Sequence, residues 1–432
     1  MWKKRGRVFV LILLLLWSLS GCMHSGSRPD GSSEAEDSAA DSSSDSSAAS
    51  AQASEEQSAP SASLSQSAAP DAQPPTELFA QWYPRAQELV DSMTLEQKVG
   101  QLLFARCPDN APSGLKDSDL SGVEQIQQYH VGGYILFAPD FEGKTPEQVR
   151  QTIAAYQEAS AVPLLIGVDE EGGSVVRVSR YEALADRRFP SPQELYAQGG
   201  LDAVRQDAAE KSRLLLSYGI NMNLAPVADV SVDPSDYIYD RTLGRPAQET
   251  AQYVAAVVEE MNASRIGSCL KHFPGYGNNQ DTHTGMAVDS RSYDSFLQSD
   301  FLPFSAGISQ GVPAVLVSHN IVQSMDSQLP ASLSPAVHAI LRDRLGFTGV
   351  VMTDDLAMEA IQEYARQYGG QADSSAAVMA VQAGNDLIIT SSLTRDFAQL
   401  LQAVEEGVLS VERIEASVRR VLAMKLALGI AQ

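Results

Sequence analysis

Ile266-Gly267-Ser268-Cys269-Leu270-Lys271-His272-Phe273-Pro274-Gly275-Tyr276-Gly277, followed by Asp281-Thr282-His283, joins an apolar run directly to a cluster of ionisable side chains. The run 266–270 has the length and bulk of a buried strand, and Pro274, Gly275 and Gly277 break the next residues into a loop. Ionisable groups released at the end of a strand make a site, whereas a lone histidine in a turn does no more than cap its neighbours. Three of the six histidines, His272, His283 and His319, stand just past apolar runs, and that placement favours function.

Outward from this stretch the chain repeats the same pattern. Short apolar runs bounded by turn residues lie at 99–104, 133–137, 164–168, 222–227, 267–270, 314–317, 349–352 and 386–389. Segments of helical period, such as 146–153, 202–217, 250–261 and 334–345, fall between them. Strands alternating with helices imply βα units and a parallel sheet, and eight of them imply a closed barrel. The expected fold is a single α/β catalytic domain, a (β/α)8 TIM-like barrel, over residues 76–432. An open doubly wound sheet is the alternative, but no G-x-G-x-x-G or Walker-type loop supports it.

In a barrel of this kind active-site groups sit at the C-terminal strand ends. The residues directly after the runs are Asp169-Glu170-Glu171, then Asp229, Lys271-His272, Ser318-His319-Asn320 and Thr353-Asp354-Asp355. For Glu170, Glu171 and Asp355 simple exposure to solvent is as good a reading as function, but five consecutive polar strand ends converge on one cleft. With Arg241 as a further candidate, the cleft has carboxylates, a lysine and histidines. It has no Cys/His set at metal spacing and no G-x-S-x-G elbow, so neither metal nor cofactor is expected. A carboxylate nucleophile paired with a proton donor is equipment for splitting acetals, and a sugar explains the surplus of polar groups, because each hydroxyl needs a fixed partner.

The N-terminus has a basic start, Trp2-Lys3-Lys4-Arg5-Gly6-Arg7, and an apolar run, 8–17, too short to span a bilayer comfortably. Leu19-Ser20-Gly21-Cys22 then resembles the lipobox of bacterial lipoproteins, which implies a signal peptide over 1–21 and acylation of Cys22. Residues 22–75 are rich in Ser, Ala, Gln and acidic residues, a composition expected to stay disordered and to serve as a spacer. The expectation is an exported protein held at the outer face of the bacterial cytoplasmic membrane by its lipid alone, with a monomeric head. The 31 Lys+Arg against 54 Asp+Glu, a net charge of −23, repel phosphate backbones, so nucleic acid is not an expected partner. Cys107 and Cys269 are expected to be free thiols.

Beyond these readings, Lys271 to Gly277 with Asp281-Thr282-His283 resembles the K-H-F-P-G-[HY]-G…D-[ST]-H signature of bacterial β-N-acetylhexosaminidases in glycoside hydrolase family 3. Met93-Thr94-Leu95-Glu96-Gln97-Lys98-Val99-Gly100-Gln101 is similar to the family's opening, Val168-Asp169-Glu170-Glu171-Gly172-Gly173 to V-D-x-E-G-G, and Arg241-Thr242-Leu243-Gly244 to R-[SA]-F-G. Val317-Ser318-His319 and Thr353-Asp354-Asp355-Leu356-Ala357-Met358 match V-S-H and the nucleophile segment. The resemblance runs in order over nearly all of 94–430.

The resemblance implies Asp354 as nucleophile, His283 as general acid and base, and Asp281 as the group that orients His283. It implies sugar binding by Asp169, Arg241, Lys271, His272 and His319, with Asp229 in support. Tyr276 and Leu243 stand where His and Phe are commoner, which touches loop packing and the aglycone side. The implied substrate is a cell-wall glycan or muropeptide with N-acetylglucosamine at its nonreducing end. A phosphorylase is the alternative enzyme, because a histidine acid does not repel incoming phosphate, and a noncatalytic sugar-binding lipoprotein is the alternative outside enzymes.

Overall fold

The computed structural model describes residues 77–113, 118–279, 281, 285–368 and 375–432, without the side chains at 362 and 365–368. The expected signal peptide, Cys22, the spacer and His283 lie outside the described residues. Eight parallel strands form one sheet in chain order: β1 (Leu103–Arg106), β2 (Gly133–Ile135), β3 (Leu165–Val168), β4 (Met222–Asn223), β5 (Gly267–Phe273), β6 (Ala314–Val317), β7 (Val350–Thr353) and β8 (Ile388–Thr390). β8 returns to pair with β1 through Leu103 and Ile388, and a bridge between Met352 and Leu387 joins β7 to β8. The sheet thereby closes into a (β/α)8 barrel. Almost every strand residue is buried, as a sheet wrapped by helices requires.

The interior is filled by side chains. A Cβ on Gly167 of β3 would lie 2.5 Å from Phe104 Cζ of β1, so the missing side chain is what admits the phenyl ring across the barrel axis. The β7–β8 seam is held below by Asp386. Its carboxylate meets Arg342 Nη2 at 2.7 Å and Arg420 Nη1 at 2.6 Å, accepts from Val351 N at 3.1 Å, and has no solvent exposure.

All eight expected strands are present, and two depart most from the expected bounds. Residues 99–101, read as the start of the first strand, belong to a helix, Leu95–Gln101. Thr94 and Gln97 form a reciprocal capping box that starts it, and only from Leu103 does the chain extend. The run 222–227 pairs as a strand only at Met222–Asn223, with Leu224 N still donating to Val168 O at 2.8 Å; Pro226 has no N–H to offer the ladder. The helix read at 202–217 begins earlier, as Pro192–Ser217, interrupted at Gly199 and Gly200. The segment read as a helix at 334–345 is one α-helical stretch, Pro335–Ala339, continued as a π-helix, Ile340–Arg344.

Beneath the barrel, Lys425 of the last helix, Val411–Ala427, is fully buried and donates to Gln101 Oε1 at 2.8 Å. Burial pushes its ammonium down to about 7. Between that value and its usual 10.5, the unfolded chain holds a proton that the folded chain lacks, so this residue's contribution to stability falls as pH drops through the window. Lys425→Met is therefore expected to raise the melting temperature more at about pH 6 than at about pH 9.5, measured by thermal denaturation at both.

Candidate active site

The C-terminal ends of the strands surround a cavity of about 680 Å³. Asp169, Glu171, Arg177, Tyr237, Arg241, Lys271, His272 and Asp354 all line it. Its charged centre is Lys271, 2 % exposed at the top of β5, with Nζ 2.7 Å from Asp169 Oδ1 and 2.6 Å from Glu171 Oε1. Arg241 closes the cluster with a two-pronged contact, Nη2 to Glu171 Oε1 at 2.8 Å and Nε to Oε2 at 3.0 Å.

Burial opposes charge on each of these groups, and the pairing outweighs it. Lys271 and Arg177 hold Asp169 below the usual carboxylate range, and Arg241 and Lys271 do the same for Glu171. Asp169 and Glu171 in turn hold the Lys271 ammonium above its usual value. The result is a wall of fixed charges that keeps its donors and acceptors in place before any ligand arrives.

His272 is oriented from behind. Its Nδ1 donates to Asp229 Oδ2 at 2.7 Å, leaving Nε2 to accept from Arg241 Nη2 at 3.3 Å. Asp229 is fully buried and also accepts from the backbone N–H of His272 and of Tyr276. It does not line the cavity; it supports His272 and the turn after β5, and both the Lys271–His272 peptide near the end of that strand and the Phe273–Pro274 peptide that leaves it are cis. That turn is clamped by Arg291, which donates to Gly275 O at 3.1 Å and meets Asp300 Oδ1 at 3.0 Å. A Cβ on Gly275 would lie 2.3 Å from Asp300 Oδ1, and Gly275 has φ +126°, so glycine is required on both counts.

Asp354 follows β7 directly. Its N–H donates to Val317 O at 3.1 Å and its Oδ1 accepts from Asp355 N at 2.8 Å. Asp355 also lines the cavity and is held by Ser391 and by Ala357 N, while burial pushes its carboxyl up. His319 lies one layer below: it is fully buried, its Nδ1 against Ser332 Oγ at 2.7 Å and its Nε2 against Asp355 O at 3.0 Å. The structure thus sets His319 behind the Asp354–Asp355 turn and outside the cavity lining.

Asp281 comes to the hydroxyl of Tyr237, which also meets Arg241. Burial pushes the Tyr237 phenol up, Arg241 pulls against that rise, and Asp281 adds to it. Tyr276, in the place where His is commoner, packs edge-on against His272 with ring centroids 5.2 Å apart, and Leu243 is buried in the core.

Glu171 and Arg177 are among the cavity residues to which the sequence reading gives no role. Glu171, balanced there between function and exposure, is 5 % exposed at the heart of the cluster. The signal for it is its position two residues after Asp169. Arg177, whose Nη2 reaches Asp169 Oδ2 at 3.3 Å, is returned to the cavity by the tight Gly172–Val175 turn. Glu170, by contrast, is wholly buried and accepts from the N–H groups of Arg177, Val178 and Ser179, tying the same loop. Cys107 and Cys269 are both buried and free.

Residues 94–424 match the model described as the glycosyl hydrolase family 3 N terminal domain. The chain belongs to glycosyl hydrolase family 3. The β-hexosaminidase LpqI of Mycobacterium tuberculosis is 32% identical over 344 residues, covering 76% of this chain and 82% of the relative. A β-hexosaminidase of Xanthomonas campestris is 36% identical over 254 residues, 57% of this chain and 75% of the relative. The solved family 3 β-N-acetylglucosaminidase of a Paenibacillus superposes with a TM-score of 0.70 at 34% identity, over 78% of this chain and 63% of that longer one. The chain is a family 3 glycoside hydrolase of the β-hexosaminidase type.

The charge cluster carries a direct test. Glu171→Gln leaves Arg241 without its two-pronged partner and Lys271 with Asp169 alone. The value of kcat/KM on an N-acetylglucosaminide is expected to fall by about 10- to 100-fold, the range for losing hydrogen bonds between charged groups. Steady-state kinetics against the unaltered protein measures it.

Proposed function

We propose that the protein is a retaining exo-β-N-acetylglucosaminidase that removes nonreducing-end N-acetylglucosamine from peptidoglycan fragments. The observation that carries this reading is the sharing of one cavity by Asp354, at the end of β7, and the charge-fixed wall of Asp169, Glu171, Arg241, Lys271 and His272. On this reading the wall holds the sugar hydroxyls and the N-acetyl group, and an oxygen of Asp354 attacks the anomeric carbon. The bond to the leaving oxygen breaks as His283 gives that oxygen a proton. His283 then takes a proton from water, whose oxygen displaces Asp354 from the glycosyl ester and restores the enzyme. Imidazole suits both directions near neutral pH, and Asp281 orients it and supports its charged form.

The test is release of p-nitrophenol from its β-N-acetylglucosaminide by the full chain in phosphate-free buffer. Turnover by the parent is expected, with losses of about 100-fold or more in both Asp354→Ala and His283→Ala. Turnover that appears only on adding phosphate would make the protein a phosphorylase. Binding without turnover in either buffer would make it a sugar-binding protein.

The basic start, the apolar run and Leu19-Ser20-Gly21-Cys22 support export and acylation at Cys22, with the residues up to 75 as a spacer between lipid and barrel. In a bacterial host, Cys22→Ala is expected to abolish palmitate incorporation and move the protein out of the membrane fraction. Persistence of the label in that variant would refute the anchor.

A further inference from the structure

Arg106 ends β1 and lines the cavity, yet the proposed mechanism does not use it. Among the described residues its side chain makes no ion pair and donates no hydrogen bond, and its Nε is shielded from solvent without an acceptor. The other cavity cations are engaged: Lys271 by Asp169 and Glu171, Arg241 by Glu171, and Arg177 by Asp169. Asp169 and Glu171 are therefore already matched, while the carboxylate that acts on Arg106 is Asp140, which makes no hydrogen bond or close ion pair with it.

The guanidinium is nevertheless held in place. Its Cζ lies 4.2 Å from the centroid of Phe137, and Arg177 Cζ lies 5.8 Å from the same centroid. A guanidinium resting on an aromatic ring keeps its N–H edge available for a planar or tetrahedral oxyanion. Neutral hydroxyls do not call for a second guanidinium beside Arg177 that carries no hydrogen-bonded carboxylate.

The barrel order locates the subsite. β1 is four strands from β5, so Arg106 faces Lys271 and His272 across the cavity, and it is two strands from β7 and Asp354. A sugar held by the β3–β5 wall with its anomeric carbon at Asp354 has its opposite edge, or the next sugar, on the Arg106 side.

We infer that Arg106, seated on Phe137 beside Arg177, is the cation of a subsite for an anionic substituent of the glycan, a carboxylate or a phosphate. The inference rests on the reading of this cavity as an N-acetylglucosaminide site, and its test separates the two. Values of kcat/KM are compared for the N-acetylglucosaminyl-muramic acid disaccharide and its methyl ester, and for p-nitrophenyl N-acetylglucosaminide with and without a 6-phosphate. At least one anionic member is expected to exceed its neutral counterpart by about 10-fold or more, and Arg106→Gln to erase that ratio, with Arg106→Lys retaining part of it. A ratio carried by the carboxylate places the anion on the leaving sugar, and one carried by the phosphate places it on the cleaved sugar.

Equal rates within both pairs for the unaltered protein, or a ratio that survives Arg106→Gln, overturns the inference. Calorimetric binding of the same ligands to Asp354→Asn, with and without Arg106→Gln, reads the contrast independently of turnover. An inactive parent would thus refute the proposed function while the binding ratio still decides the anion subsite.

Discussion

Everything at the open end of this barrel depends on keeping one lysine charged out of water. Lys271 is 2 % exposed, and an isolated ammonium in that position would give up its proton. Asp169 from the end of β3 and Glu171 two residues later prevent this, and Arg241, brought in from the loop after β4, keeps Glu171 ionised in turn. Such a cluster adds little net stability over well-packed apolar residues, because the desolvation of each ion offsets most of the attraction. What it supplies is orientation. Donors and acceptors are set before a sugar arrives, so little reorganisation remains to be made at the moment of reaction.

Around that centre the fold invests in supports that touch no substrate. Asp229 fixes the His272 ring and two backbone N–H groups, His319 holds the carbonyl of Asp355 behind the Asp354–Asp355 turn, and Arg291 with Asp300 clamps the turn at Gly275. A two-residue pairing of Val288–Asp289 with Ile321–Val322 ties the loop after β5 to the loop after β6. Asp386, ringed by arginines, closes the barrel seam from the opposite end. Buried polar residues around the cavity therefore fall into two groups, those that present atoms to it and those that hold the first group still.

The two groups have the same composition, which is why sequence reasoning could not fully separate them. His319 and His272 both follow an apolar strand, yet one is buried against Ser332 and the other faces the cavity. Glu170 and Glu171 are adjacent and chemically alike, yet one clasps a loop and the other neutralises Lys271 and Arg241. Strand alternation turns neighbouring side chains to opposite faces, and a loop decides where the next residue points. Arg177 is illegible for the same reason: only the reversal at Gly172–Val175 returns it to Asp169.

By itself the sequence determined the barrel and the list of strand ends that carry chemistry. Apolar runs of strand length, alternating with helical period, leave few folds open, and covalent order alone puts Asp169, Lys271 and Asp354 at strand termini. It also determined the bulk electrostatics, an acidic chain with no phosphate-binding loop. Local capping set the first boundary against the apolar pattern, where Thr94 and Gln97 start a helix that hydrophobicity reads as strand. The tertiary structure alone decided which ionisable groups pair. A pairing depends on distances of a few ångströms between residues about a hundred positions apart, as between Asp169 and Lys271, and on burial that makes those distances count. That is also what left Arg106 without a hydrogen-bonded partner among the described residues, a fact no spacing in the chain could have revealed.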